Sequence, residues 1–285
     1  MSGWLAQPAV LPWLALILGL CIGSFLNVVI YRLPKMMERE WRAECAALAG
    51  QEAPAEAPFN LMVPRSRCPS CSKPIGALEN IPLLSYALLR GRCANCKAPI
   101  GLKYPLVEAL AGVGAAYAAW RFGFSLAALG AALFTWATIA LAFIDQETGL
   151  LPDDLTLPLI WSGLLLNVAG AFTSLPESVI GAIAGYLFLW LVYWAFKLLT
   201  GKEGMGYGDF KMNAAVGAFL GWKLLPLVIL LSSVVGLFFG ALQMLAARGR
   251  WDGGFRFHFG PYIAIAGIVA LYWGEPILRW YTRQL

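Results

Sequence analysis

Apolar runs of the length a helix needs to cross about 30 Å of hydrocarbon recur along most of this chain. They fall at roughly 11–33, 105–121, 125–144, 155–173, 177–199, 210–222, 224–246 and 259–280. The run at 210–222 is short and carries Lys211 and Asn213. With 60% of its 285 residues hydrophobic and 13% charged, the chain does not have the composition of a soluble globular domain. Ten-residue stretches of alternating polarity, the mark of a transmembrane β-barrel, do not occur. The sequence predicts an all-α polytopic membrane protein with about eight transmembrane helices.

Charge orients these helices. Between Arg32 and Lys103 stand eleven Lys/Arg against six Glu, whereas the first ten residues carry no charged side chain. The positive-inside rule then puts the N-terminus outside and residues 35–104 in the cytoplasm. Threading eight helices from there places the loops 145–154, 200–210 and 247–257 on the cytoplasmic side too. Lys202, Arg248, Arg250 and Arg256 agree with this topology, while Arg121 and Lys223 dissent. The first run is read as a retained membrane helix rather than a signal peptide. Nothing basic precedes it, and it ends in Tyr31-Arg32-Leu33-Pro34. Nucleic acid is excluded as a partner, because the basic residues lack the aromatic interleaving of a base-stacking surface.

One break in composition marks a domain boundary. The organisation read from it is a first helix at 1–34, a polar insert at 35–104 and a transmembrane core at 105–285. The insert opens with a short charged helix, Met36 to Leu48, followed by an Ala/Pro/Glu-rich connector at 49–58. Then come Cys68-Pro-Ser-Cys71 and Cys93-Ala-Asn-Cys96, with 21 residues between the pairs. Two such corners each aim two thiolates at one point, which suits a tetrahedral zinc ion. Disulfides or a redox pair compete with this reading, but a cytoplasmic insert sits in a reducing compartment. Four thiolates close the coordination shell, so zinc held by Cys68, Cys71, Cys93 and Cys96 would be structural. Cys21 and Cys45 are read as packing or incidental residues.

Two aspartates stand at the margins of apolar runs, where a carboxylate costs roughly 2.5–3.5 kcal/mol even on the milder insertion scale. Asp145 closes one run ahead of Gly149 and Pro152, which place it in the last turn of its helix. Asp209 follows Gly204-Met-Gly-Tyr-Gly208 and opens another helix. Taken singly, each is a helix cap or a partner for a lysine such as Lys211; Asp153 and Asp154 read as an N-cap. Taken together, Asp145 and Asp209 suggest one polar cavity entered by two loops. Two carboxylates in one site cannot both ionise cheaply, so one keeps its proton. The ionised one can then activate water while the other polarises a scissile carbonyl. Helix polarity predicts that Asp145, at a C-terminus, holds the proton and Asp209, near an N-terminus, the charge. A nucleotide-phosphate loop is the rival for the glycines, yet no Gly-Lys-Ser/Thr follows them. Asn27 is expected to hydrogen-bond a neighbouring helix, Arg32 to snorkel to the interface, and His258 to be structural.

Several strings together resemble the bacterial type IV prepilin peptidases, in the family's order and over nearly the whole chain. They are Gly23-Ser-Phe-Leu-Asn-Val-Val-Ile-Tyr-Arg-Leu-Pro34, the four-cysteine cluster, Arg90-Gly-Arg-Cys93 and Tyr104-Pro-Leu-Val-Glu108. Further along are Ile144-Asp145, Leu151-Pro-Asp153, the stretch Gly201 to Lys211, and Phe259-Gly-Pro-Tyr262. The resemblance implies that Asp145 and Asp209 are the catalytic pair, with Gly206, Gly208, Asp153 and Lys211 in supporting loops. It implies an enzyme of the inner (cytoplasmic) membrane, N-terminus periplasmic and active site facing the cytoplasm. Its substrates would be prepilins and type II secretion pseudopilins, cut after a glycine that ends a short basic leader. The same enzyme would then methylate the new N-terminus with S-adenosylmethionine, whose binding residues the sequence does not give; nor does it give an oligomeric state. The 36–58 stretch departs from the family pattern and takes no role from it. An intramembrane peptidase for other proteins, a peptidase without methylation, and a proton-coupled transporter are the alternatives. The zinc-type insert argues against the second. The lack of repeated halves and the position of both acids at one face argue against the third.

Overall fold

The computed structural model describes residues 9–51, 57–246 and 258–283. All long elements among them are helical, and no strand is present apart from two isolated bridges in the insert. Eight long helices match the eight apolar runs: α1 (Leu11–Leu48), α3 (Lys103–Phe122), α4 (Leu126–Thr148), α5 (Asp153–Val168), α6 (Leu175–Thr200), α7 (Tyr207–Leu220), α8 (Leu225–Ala246) and α9 (Gly260–Thr282). A short α2 (Leu84–Leu88) lies in the insert. By length and hydropathy alone, five helical segments qualify as membrane spans. At 16 and 14 residues, α5 and α7 are too short to count.

The expected end of the first helix at Pro34 is absent. Proline removes one N–H from the ladder, yet α1 continues to Leu48, 38 residues in all, and absorbs the short helix expected at 36–48. The residues after Pro34 are strong helix formers, and Glu38 and Arg42 pair at 3.0 Å one turn apart. Part of the connector at 49–58, and the loop with Arg248, Arg250 and Arg256, lie outside the described residues.

The structure divides into two compact units, Met1–Phe124 and Ser125–Leu285. In the first, α1 packs along α3, burying Leu26, Val29 and Ile30 with Val107 and Ala111. Asn27 donates from Nδ2 to the Tyr104 carbonyl of α3 at 3.1 Å, the interhelical bond expected of it. Arg32 does not snorkel. It is buried, and its guanidinium donates to the carbonyls of Asn60 (2.8 Å) and Pro64 (2.5 Å), tying the insert to α1.

The second unit is built around α7. Every residue from Asp209 to Leu220 is buried except Lys211, with α5, α6 and α9 packed around the helix. Its apolar length is therefore covered by protein, which is why a 14-residue helix suffices. At its far end, Asn167 donates to the carbonyls of Ala218 and Phe219, satisfying two groups a helix terminus leaves open. Nearby, Lys223 pairs with Glu177 at 2.5 Å, so the cation that dissents from the charge rule is neutralised in place.

Candidate active site

Asp145 sits in the last turn of α4, which ends at Gly149 in the left-handed conformation. It is only 5% exposed. Its Oδ2 accepts the Gly260 N–H at 3.0 Å, and His258 lies within electrostatic reach. This bond removes the basis for ranking the two acids by helix polarity. The C-terminal dipole of α4 disfavours charge on Asp145, but the N-terminal dipole of α9 acts on the same group in the opposite sense.

Asp209 stands in the first turn of α7, behind Gly206 as the N-cap. The loop closes on itself twice: the Asp209 N–H donates to the Gly206 carbonyl, and the Gly206 N–H donates to Asp209 Oδ2, both at 3.2 Å. Asp209 is 7% exposed, and its Oδ1 is buried without a hydrogen-bond partner among the described residues. A buried acceptor left bare costs about 1–3 kcal/mol. An oxygen in that state is available to a reacting group.

Two contacts bring these loops to one end of the unit. Gly208 faces Leu151 so closely that a Cβ on residue 208 would stand 2.6 Å from Leu151 Cβ. Lys211 Nζ lies 2.7 Å from both carboxylate oxygens of Asp153. Asp145 lies within electrostatic reach of Asp209. Lys211 thus serves Asp153, not Asp209 as the single-residue reading allowed. Asp153 is not the helix cap expected of it: Pro152 takes that position, and Asp153 is the first residue of α5. Glu203 is bound to Lys197 at 2.8 Å, a hydrogen bond that holds its carboxyl below the usual carboxylate range.

The cysteine corners form a second, separate centre in the first unit. The Cys68 N–H donates to the Lys73 carbonyl and the Cys93 N–H to the Ala98 carbonyl, so the two hairpin-like knuckles repeat. All four sulfurs lie within 4.8 Å of one another, with Cys68 and Cys96 at 3.8 Å. Metal–sulfur bonds of about 2.3 Å arranged as a tetrahedron give edges of about 3.8 Å, whereas a disulfide would need about 2.05 Å. Backbone amides favour thiolates here: those of Cys96 and Asn95 bring Cys93 down to about 6, and that of Lys73 lowers Cys71. Cys96 goes the other way, to about 11, because burial and the other three sulfurs outweigh the Ala98 amide. Such crowding of negative charge is relieved by a bound cation, and these residues fit one. Cys21 and Cys45 are exposed and outside the cluster.

Comparison with known proteins agrees with this division. Residues 17–122 match the bacterial peptidase A24 N-terminal domain, and residues 132–241 match the type IV leader peptidase family. A protein of Aeromonas hydrophila called prepilin leader peptidase/N-methyltransferase is 56% identical over 280 residues, 96% of each chain. The chain belongs to the type IV leader peptidase family. A relative from Pseudomonas aeruginosa carrying the same name is 51% identical over 269 residues, 94% of this chain and 92% of its own. No solved structure matches.

Within this family member, three residues stand near Asp145 that the sequence did not place there. They are His258, Gly260 and Tyr262, the last also within electrostatic reach of Asp145. The string Phe259-Gly-Pro-Tyr262 was visible, but 115 residues separate Gly260 from Asp145, and nothing local announces the contact.

Proposed function

We propose that this protein is an aspartic peptidase of prepilins and pseudopilins, and the N-methyltransferase of the cleaved product. What supports the proposal is that Asp145 and Asp209 are both buried at one end of the second unit, with Asp145 within electrostatic reach of Asp209. In the reaction, the ionised carboxylate takes a proton from water, and the water oxygen attacks the carbonyl carbon of the scissile bond. The protonated carboxyl hydrogen-bonds the carbonyl oxygen and passes it the proton. Collapse of the tetrahedral intermediate then breaks the C–N bond, with a proton delivered to the leaving amine. Gly206 and Gly208 shape the loop that carries Asp209. Lys211 and Asp153 hold that loop against the one after α4.

The chain is read as a multi-pass protein of the bacterial inner membrane, with a periplasmic N-terminus and with the insert and both aspartates toward the cytoplasm. Supporting this, the Asp145 and Asp209 loops share an end with Lys202, while the Glu177–Lys223 pair occupies the other end. A substrate whose apolar helix stays in the bilayer would then offer its basic leader to the site from the cytosol. Asp153 and Glu203 are paired with Lys211 and Lys197 of this chain.

Zinc is the metal proposed for Cys68, Cys71, Cys93 and Cys96, where it would staple an insert with few large apolar residues. A first helix at 1–34, an insert at 35–104 and a core at 105–285 are proposed as functional divisions, although α1 crosses the first boundary and α3 packs within the first unit. S-adenosylmethionine supplies the methyl group of the second reaction. An α-amino group of pKa about 7.7–8.0 needs little deprotonation at neutral pH, so positioning accounts for much of the protein's share. The deciding experiment incubates the purified protein in detergent with a prepilin and S-adenosylmethionine and weighs the product. Loss of the leader with a gain of one methyl is expected. An intact prepilin, or cleavage that survives Asp145→Ala or Asp209→Ala, would reject the peptidase reading.

A further inference from the structure

The amide of Gly260, the first residue of α9, is one of those a helix cannot satisfy internally. It donates to Asp145 Oδ2 at 3.0 Å in buried surroundings. A Cβ on residue 260 would stand 2.7 Å from that oxygen and 3.1 Å from Cγ. Glycine is therefore what allows α9 to start so near the carboxylate. The obstacle is the Asp145 side chain, whose Cβ is the third atom at 3.2 Å, with no backbone among the three nearest atoms. His258 lies at the same corner: its Nε2 is 3.5 Å from where a Cβ on Gly149 would lie. Residues 258 and 260 thus abut both Asp145 and the turn that closes α4.

Resting on the reading of Asp145 and Asp209 as the peptidase pair, we propose that Gly260 is a positioning residue of that site. Its amide pins one oxygen of Asp145, leaving the other for the attacking water and Asp209. The N-terminal dipole of α9 offsets the unfavourable place of a carboxylate at the C-terminal end of α4. A methyl group at 260 would swing the carboxylate off this bond while leaving the helix whole, since alanine is a better helix former than glycine. Displacement of a reacting group by about 1 Å costs on the order of 100-fold in rate.

The test compares wild type, Gly260→Ala and Asp145→Ala as full-length proteins in detergent. It measures kcat and KM for prepilin cleavage and, separately, methyl transfer to an already cleaved pilin. Gly260→Ala should lose about 100-fold in kcat, with KM for prepilin and methyl transfer near wild type. Parallel loss of both activities, or a rise in KM in place of a fall in kcat, would mean a general structural effect and overturn the proposal. So would a kcat within about threefold of wild type while Asp145→Ala is inactive, which leaves the pair standing. An active Asp145→Ala would instead defeat the pair itself, and with it the role of Gly260.

Discussion

Lys211 on α7 and Asp153 on α5 form an ion pair with Nζ 2.7 Å from both carboxylate oxygens, and it spans the two loops that carry the acids. The pair is part-exposed, so its direct contribution to stability is about 0.2–1 kcal/mol. Its larger role is geometric. Lys211→Met should lower the melting temperature little but cut prepilin cleavage roughly tenfold. A double-mutant cycle with Asp153→Asn, run on both melting and kcat, should give a coupling in kcat greater than that in stability.

Asp145→Asn and Asp209→Asn keep the shape of each side chain and remove its acid function. If the two act as a unit, their effects on kcat will not add. The double variant should be no slower than the worse single one, and each single variant should fall by several orders of magnitude. Additive losses, measured as initial rates on one prepilin, would mean that the two carboxyls do separate jobs.

The eight apolar runs were legible because a bilayer leaves a strong one-dimensional signal, and the structure returns seven of them with ends shifted by a few residues, the first helix alone running fifteen residues beyond its apolar run. The cysteine cluster was legible for a similar reason: the spacing within each corner is short and stereotyped. What the sequence hid are contacts across long separations. Arg32 looked like an interfacial anchor because its neighbours are apolar, whereas its fork is taken up by carbonyls 28 and 32 residues away. The link from Gly260 to Asp145 is hidden in the same way. Pro34 looked like a helix end because the local penalty was visible, while the helix-forming stretch behind it outweighs that penalty.

Arg32 gives a direct prediction. Lysine keeps the charge but cannot reproduce two diverging N–H bonds. Arg32→Lys should leave a carbonyl of Asn60 or Pro64 short of a donor, at about 1–3 kcal/mol. Limited proteolysis should then cut near residues 57–64 faster than in wild type, while cleavage elsewhere in the chain stays unchanged.

Metal removal should act on the insert and spare the second unit. A strong chelator is expected to release one zinc per chain and to expose four thiols to titration in addition to Cys21 and Cys45. Far-UV ellipticity should hardly change, because most helical residues lie outside the 64–104 region. Cys93→Ser should reproduce the loss of metal without chelator. Full metal binding in that variant would rule out the four-sulfur site.

The placement of Asp209 depends finally on how closely α7 lies against α6. Gly217 and Gly181 meet there with backbone against backbone, and a Cβ on either would run into the carbonyl of the other. Unlike the methyl at 260, this one meets no flexible side chain, so the helices themselves must part. Gly217→Ala gains about 1 kcal/mol of helix propensity over glycine, yet overpacking typically costs about 1–3 kcal/mol and sometimes more. The net expectation is a lower melting temperature in detergent. Peptidase activity should fall with it, because α7 carries Asp209 at its start, two turns from the strained contact. Gly170→Ala, at a positive-φ position where a Cβ would meet nothing within 4 Å, separates the two mechanisms. It should cost stability through backbone strain while leaving the spacing of α6 and α7, and so kcat, near wild type.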